Sequence, residues 1–195
     1  MNLKNWSKLF IKTLLVGAVV SIITGFLLPF SRESISFKDV SDVLFYLLIL
    51  FGFGAMASVY SQLGFFAYMI LNYTAIGIPR KVWQYIQLTL AVLALLEVMF
   101  FRSFVGKGNS QIADLLVGIA ILIVAIAVAY FKVKATNPTA WIPTIFFMIA
   151  ITVVEMIGGL KINVNNATIF ILIPLLACNA YQILILHKLL KPKKS

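Results

Sequence analysis

The stretch VLFYLLILFGFGAMASVYSQLGFFAYMILNYTAIGIP, Val43–Pro79, contains no charged residue in 37 positions. A helix that crosses a bilayer needs about 17–25 mostly apolar residues. The stretch therefore holds either two spans or one span with an additional segment. Charged residues divide the rest of the chain into five further apolar segments: Thr13–Ser31, Val82–Leu96 (long enough if it continues to Phe101), Leu115–Phe131, Ala135–Val154 and Ile162–Leu186.

The composition of the whole chain also indicates segments that cross a membrane. Of its 195 residues, 62% are hydrophobic and 11% are charged, whereas a soluble domain is typically about half apolar and about a quarter charged. The excess apolar surface has to face lipid, and lipid leaves no backbone group unpaired, so each span must be helical. The predicted fold is all-α: a polytopic transmembrane helix bundle forming one integral membrane domain, residues 1–195.

The positions of lysine and arginine decide how many spans Val43–Pro79 contains. With one span there, 11 basic residues fall on the cytoplasmic side and 5 on the opposite side. With two spans the distribution becomes 6 against 10, which contradicts the excess of basic residues in cytoplasmic loops. The sequence therefore predicts six spans with both termini in the cytoplasm. Their approximate bounds are 13–30, 43–61, 82–101, 112–131, 141–157 and 168–186.

The segment 62–78 then follows the second span at the inner face of the membrane. Its aromatic residues suit the headgroup region, and Gly77 and Pro79 mark its end. Two arrangements remain open: the segment continues the second span into the headgroups, or it lies flat on the inner surface.

Net charge and residue counts exclude several classes of function. The formal charge of +10 lies in short clusters between apolar runs, which indicates membrane topology and argues against nucleic acid as a partner. One cysteine and one histidine exclude an internal disulfide and a metal site of several such ligands. No catalytic motif, metal site or cofactor fingerprint is predicted, so the chain is not expected to be an enzyme.

Small residues repeat along the first two spans at spacings that let helix backbones approach closely. Two alternatives remain for them: packing of the first two spans against each other, or docking of another membrane protein. The candidate helix-packing face consists of Gly17, Ser21, Gly25, Gly54, Ala57 and Ser58.

Four ionisable residues are predicted near the outer ends of the spans. A charged side chain in hydrocarbon usually faces the bundle interior and finds a partner there. They could form a polar pocket for an ion, a proton or a small ligand, or a structural ion pair near the interface. This candidate outer polar site consists of Glu97, Arg102, Asp114 and Glu155.

Seven polar residues are predicted at a similar depth on the cytoplasmic side. They could join helices by hydrogen bonds in lipid, or they could line a polar cavity or a contact with a cytoplasmic partner. This candidate inner polar belt consists of Ser58, Ser61, Gln62, Gln84, Gln87, Asn179 and Gln182.

Three strings of residues resemble those of one family. They are Asn5-Trp6 followed by Lys8-Leu9-Phe10, then Ser61-Gln62-Leu63-Gly64-Phe65-Phe66-Ala67-Tyr68, and Ala177-Cys178-Asn179-Ala180-Tyr181-Gln182. Through them the chain resembles the KbaA family, described as KinB-signalling pathway activation proteins of endospore-forming bacteria. The second and third strings coincide with the inner polar belt.

The resemblance implies a membrane accessory factor that helps a sensor histidine kinase to feed the sporulation phosphorelay. Its partners would be the lipid bilayer of the bacterial cell membrane and a polytopic sensor histidine kinase, and it implies no catalytic residue. A second hypothesis is a small transporter or ligand-binding membrane protein that uses the outer polar site. Pro174 inside the last span is the kind of helix interruption that some transporters use.

Overall fold

The computed structural model describes residues 3–28, 39–101, 111–156 and 166–190, and within these ranges it contains helices and no strand. The all-α prediction is therefore confirmed for the described residues. The helices are α1 (Leu3–Leu27), α2 (Val40–Thr74), α3 (Arg80–Leu96), α4 (Gln111–Ala135), α5 (Trp141–Phe146), α6 (Thr152–Val154) and α7 (Asn166–Leu190).

Helix α2 is the longest element and organises the others. It begins after Asp39, whose backbone N–H lies 3.3 Å from the Asp42 carboxylate, and a carboxylate in the first turn satisfies free backbone N–H groups. Its 35 residues correspond to a rod about 52 Å long. No break separates residues 43–61 from residues 62–74, so residues 62–74 continue the helix of the second predicted span. A short 3₁₀ turn, Ala75–Gly77, then leads to Pro79.

Helices α1, α2 and α7 form one half of the bundle. Helix α1 packs along both α2 and α7, and its Trp6 ring stacks on Phe66 of α2 with ring centroids 4.8 Å apart. At the other end of the same interface, the Tyr46 hydroxyl donates a 2.9 Å hydrogen bond to the Gly25 carbonyl. The two contacts show that α1 and α2 run antiparallel.

A composite helix lies in the middle of the bundle. Helix α5 continues through a π-helical turn, Phe147–Ile151, into α6 without interruption. All five residues of that turn are buried, so neighbouring helices surround the middle of this rod. Phe147 packs on α2, with ring centroids 5.8 Å from Phe65 and 4.9 Å from Tyr68. We refer to this rod as the α5–α6 helix.

Five helices are long and apolar enough to cross a membrane, judged by length and composition in the described residues. They are Asn5–Leu27, Val40–Gly77, Arg80–Phe100, Ile112–Ala135 and Phe170–Lys188. The α5–α6 helix belongs to the shorter apolar segment Pro138–Val154 and corresponds to the fifth predicted span. Helix α3 extends through a π-helical turn, Glu97–Phe101, and α7 runs through Pro174.

Candidate functional site

Seven polar or thiol side chains meet in the interior where α1, α2, the α5–α6 helix and α7 converge. None of them is more than 5% exposed. Buried polar groups in a protein are almost always hydrogen-bonded, and here they bond mainly across helices. We call the group the central polar cluster: Thr13, Ser58, Ser61, Thr152, Glu155, Cys178 and Asn179.

Asn179 is the hub of this cluster. Its Oδ1 accepts a 2.6 Å hydrogen bond from the Ser61 hydroxyl. Its Nδ2 lies 2.9 Å from the Thr152 hydroxyl oxygen and 2.8 Å from Glu155 Oε2, and donates to both. One side-chain amide thus links α2, α6 and α7, which a shorter or apolar side chain could not do.

Glu155 lies directly against α2 because Gly64 leaves room for it. A Cβ atom placed on Gly64 would overlap the Glu155 carboxyl group and lie 2.6 Å from Ile151 Cγ2. Glu155 Oε2 is paired with Asn179, whereas its Oε1 has no hydrogen-bond partner among the described residues. The absence of a side chain at residue 64 is therefore what admits the carboxyl group to the cluster.

Ser58 and Cys178 form the second part of the cluster, one helical turn away. The Ser58 hydroxyl lies 3.0 Å from the Thr13 carbonyl and 2.9 Å from the Gly54 carbonyl, and 3.4 Å from Cys178 Sγ. Gly17 is packed so closely that a Cβ there would overlap Ser58 Oγ and lie 2.6 Å from the Gly54 carbonyl oxygen. These contacts lock α1, α2 and α7 together.

Most of the predicted helix-packing face lies between α1 and α2 of this chain. Gly17, Gly54 and Ser58 touch one another there, and Gly25 sits against the Leu50 side chain. Ala57 is 2% exposed and Ser21 is fully buried. The structure thus brings these small residues into an intramolecular interface, which is the first of the two alternatives that the sequence left open.

The predicted outer polar site does not assemble among the described residues. Glu97 is exposed on α3, Asp114 is 4% exposed on α4, and Glu155 belongs to the central polar cluster. No hydrogen bond or ion pair joins these three within the described ranges. Arg102 lies outside the residues that the structure describes.

Glu155 therefore lies at a different depth in the bundle from the one predicted, because α2 continues beyond residue 61. The depth of Glu155 was inferred from its position near the end of the fifth span. In the structure the α5–α6 helix packs beside the far part of α2, with Phe147 at the level of Phe65 and Tyr68. About two turns later, Glu155 reaches only the level of Ser61 and Gly64.

The predicted inner polar belt divides into separate groups. Ser58, Ser61 and Asn179 belong to the central polar cluster. Gln62 and Gln182 line a cavity beside the start of α1. Gln84 is half-buried on α3 and joins none of these groups by a hydrogen bond.

Gln87 belongs to a hydrogen-bonded group that fastens the α2–α3 turn. Asn72 Oδ1 accepts a 3.0 Å hydrogen bond from Trp83 Nε1 and a 3.2 Å hydrogen bond from Gln87 Nε2. Asn72 Nδ2 in turn donates to the Tyr68 carbonyl at 2.9 Å. This side-chain amide therefore holds the end of α2 against the first two turns of α3.

Six residues of these groups were not among the predicted site residues: Thr13, Gly64, Asn72, Trp83, Thr152 and Cys178. Asn72 could have been found from the sequence, because an amide within an apolar run indicates a polar partner. Gly64 gives no chemical signal, because its contribution is an empty volume. Within the described residues, no group of three or more His, Cys, Asp or Glu side chains could hold a metal ion.

Comparison with known proteins gives a family match and a similar protein, and both are named for KinB-signalling pathway activation. The family model KbaA, described as KinB-signalling pathway activation in sporulation, matches residues 17–189. A relative from Bacillus subtilis (strain 168), named KinB-signaling pathway activation protein, is 29% identical over 96% of this chain and 98% of its own length. No solved structure matches the chain significantly. Because the family model covers most of the chain, including the residues of the central polar cluster from Ser58 to Asn179, the chain belongs to the KbaA family.

Proposed function

We propose that this chain is a non-enzymatic accessory protein of a bacterial cell membrane that promotes activation of a KinB-type sporulation histidine kinase. The observation that carries the proposal is the family match over residues 17–189, whose description names KinB-signalling pathway activation in sporulation. The similar protein of Bacillus subtilis carries a name with the same meaning. The output of the kinase would enter the phosphorelay.

The proposed location follows from the helices. Five of them have the length and apolar composition of membrane spans, and the buried α5–α6 helix makes a sixth in this proposal. The basic residues favour both termini in the cytoplasm. Helix α2, about 52 Å long, exceeds the roughly 30 Å hydrocarbon thickness, so it tilts or extends into the inner headgroup region.

The surface that meets the kinase is proposed to be the exposed face of α3. Among the five long apolar helices, α3 has the smallest buried share. In its apolar part 17% of the residues are buried, against 28% to 44% in the other four helices. The small residues of α1 and α2 are already occupied with each other, and the central polar cluster is inside the bundle. Helix α3 therefore has the smallest buried share among the described spans, and its exposed face is available to a second membrane protein.

An accessory protein shifts a kinase toward its active state only if it binds that state more tightly. In this proposal α3 packs against the spans of the kinase and favours the arrangement that signals. The central polar cluster contributes indirectly, because it fixes the α5–α6 helix to α2 and α7, and α3 packs against the α5–α6 helix.

The test is site-specific photo-crosslinking in sporulating cells that express the full chain and a tagged kinase. A photoreactive residue replaces Leu93 on α3, which is 55% exposed, or Ile23 on α1, which is 51% exposed. The two positions are matched in apolar character and exposure. We expect the kinase to be captured from position 93 and not from position 23.

Capture from position 23 alone would show that the contact surface is wrong while the partner is right. Absence of the kinase from both positions, and from neighbouring exposed positions Tyr85 and Leu96, with both proteins abundant, would refute direct contact.

The transporter hypothesis depended on an outer polar site, and the members of that site that the structure describes do not contact one another.

A further inference from the structure

A cavity of about 320 Å³ lies beside the start of α1, between α1, α2 and α7. Small-molecule sites in proteins occupy about 300–1,000 Å³, so the volume is sufficient for part of a ligand. The lining residues are Trp6, Ser7, Leu9, Phe10, Ile11, Gln62, Phe65, Phe66 and Gln182.

The cavity has a buried floor and an exposed mouth. Phe65 is 1% exposed and Gln182 is fully buried, whereas Phe10, Phe66 and Ile11 are 42% to 58% exposed. The exposed side chains at the mouth are apolar and, in the proposed topology, face lipid. A molecule dissolved in the bilayer could therefore enter from the side.

Gln182 is the feature that points to a ligand. Neither its Nε2 nor its Oε1 has a hydrogen-bond partner among the described residues. Leaving a buried donor or acceptor unpaired is unfavourable, because the group has lost its hydrogen bonds to water and gained none in return. The second amide of the floor, Gln62, donates to the Phe10 carbonyl at 3.3 Å and forms no hydrogen bond with Gln182.

We propose that this cavity binds a neutral amphiphile whose head group both donates and accepts a hydrogen bond, such as a fatty amide or an undissociated fatty acid. A side-chain amide presents one acceptor and two donors, so such a head group pairs with Gln182 through two parallel hydrogen bonds. The aromatic walls hold the first part of the chain, and the rest extends past Phe10 and Ile11 into the bilayer. This inference is independent of the proposed contact with a kinase.

The charge of the walls selects against ionised head groups. None of the lining side chains is charged, and moving an unpaired ion out of water is costly. Phosphate and ionised carboxylate head groups therefore lack the cation that would compensate them.

The test uses the full chain in lipid nanodiscs with 2-bromododecanamide as the probe. Its bromine lies next to the head group and quenches nearby tryptophan, and Trp6 lines the cavity. We expect saturable quenching that is lost in Trp6→Phe. Unlabelled dodecanamide should reverse it at every pH, dodecanoic acid should reverse it increasingly as the pH falls, and dodecyl phosphate should not reverse it. The amide and acid arms thus distinguish the two sources of this head-group chemistry.

Substitutions inside and outside the cavity examine the role of Gln182. Gln182→Met keeps the length of the side chain but removes the amide, and we expect binding of the amide probe to weaken about tenfold, the effect of one or two lost hydrogen bonds. Gln84→Met is the matched control, because Gln84 lies on α3 outside the cavity, and it should leave binding unchanged. If Gln182→Met does not fold, Ile11→Phe narrows the mouth from an exposed position without adding a tryptophan, and it should also weaken binding.

Three results would overturn the proposal. The first is the absence of saturable quenching by 2-bromododecanamide. The second is reversal by dodecane as effective as reversal by dodecanamide, since the cavity would then hold any apolar chain. The third is unchanged binding in a folded Gln182→Met protein.

Discussion

Asn179 Nδ2 donates a 2.8 Å hydrogen bond to Glu155 Oε2 across the α6–α7 interface. The sequence predicts the two residues in opposite halves of the membrane, Glu155 in the outer half and Asn179 in the inner half, whereas the structure brings them into contact inside the bundle. Several stability predictions depend on this contact and on the close packing around it.

Replacement of Glu155 separates its shape from its charge. Glu155→Gln keeps an oxygen that accepts the hydrogen bond from Asn179, so we expect the free energy of unfolding to stay within about 0.5 kcal/mol of the wild-type value. Glu155→Ala removes that acceptor and leaves a void beside Gly64, and should lower the free energy of unfolding by about 2–3 kcal/mol. Unfolding in bicelles, followed by tryptophan fluorescence, measures both. Equal losses in the two variants would show that the charge, and not the hydrogen bond, is what Glu155 supplies.

The Ser61–Asn179 hydrogen bond should appear as a coupling energy. Each residue is replaced by Ala alone and then together, and the double-mutant cycle isolates their interaction. We expect a coupling of about 0.6–2 kcal/mol, the range for interhelical hydrogen bonds in membranes. Ser61 paired with Gln84→Ala is the control cycle and should give no coupling. Additive effects of Ser61 and Asn179 would contradict the 2.6 Å contact.

Gly17 should not tolerate a methyl group. A Cβ there would overlap Ser58 Oγ and lie 2.6 Å from the Gly54 carbonyl oxygen, whereas a Cβ on Gly52 would meet nothing within 4 Å. Gly17→Ala should therefore lower the free energy of unfolding by about 1–3 kcal/mol through overpacking. Gly52→Ala, the matched control on α2, should be neutral or stabilise by up to about 1 kcal/mol, because Ala favours helix over Gly. The same response from both variants would place the α1–α2 contact elsewhere.

Asn72 should be the residue on which the α2–α3 turn depends. Asn72→Leu leaves the donors of Trp83 and Gln87 without their acceptor, so we expect a loss of about 2 kcal/mol or more. Gln84→Leu, on the same turn of α3 but half-buried and outside this group, should change stability by no more than about 0.5 kcal/mol. Protease sensitivity at the 75–79 turn provides a local measurement. Unchanged sensitivity in Asn72→Leu would mean that the aromatic and apolar contacts of α2 and α3 suffice.

The sequence by itself determined the class of the fold and the family. Charge-free apolar runs predict helices because lipid cannot satisfy an open backbone, and these runs reappear as α1, α2, α3, α4 and α7. The strings around Ser61–Tyr68 and Ala177–Gln182 predicted the KbaA family, which the family match confirms. The number of spans and their orientation stay predictions.

The tertiary structure alone decided which polar residues meet. Hydropathy places a residue along its own helix, but it does not state how far one helix is displaced along another. Helix α2 continues past residue 61, and the α5–α6 helix packs beside this later part of α2. At that position Glu155 contacts Asn179, and it does not meet Glu97 or Asp114. The void at Gly64 that admits the carboxyl group is a property of two packed helices, so neither helix reveals it alone.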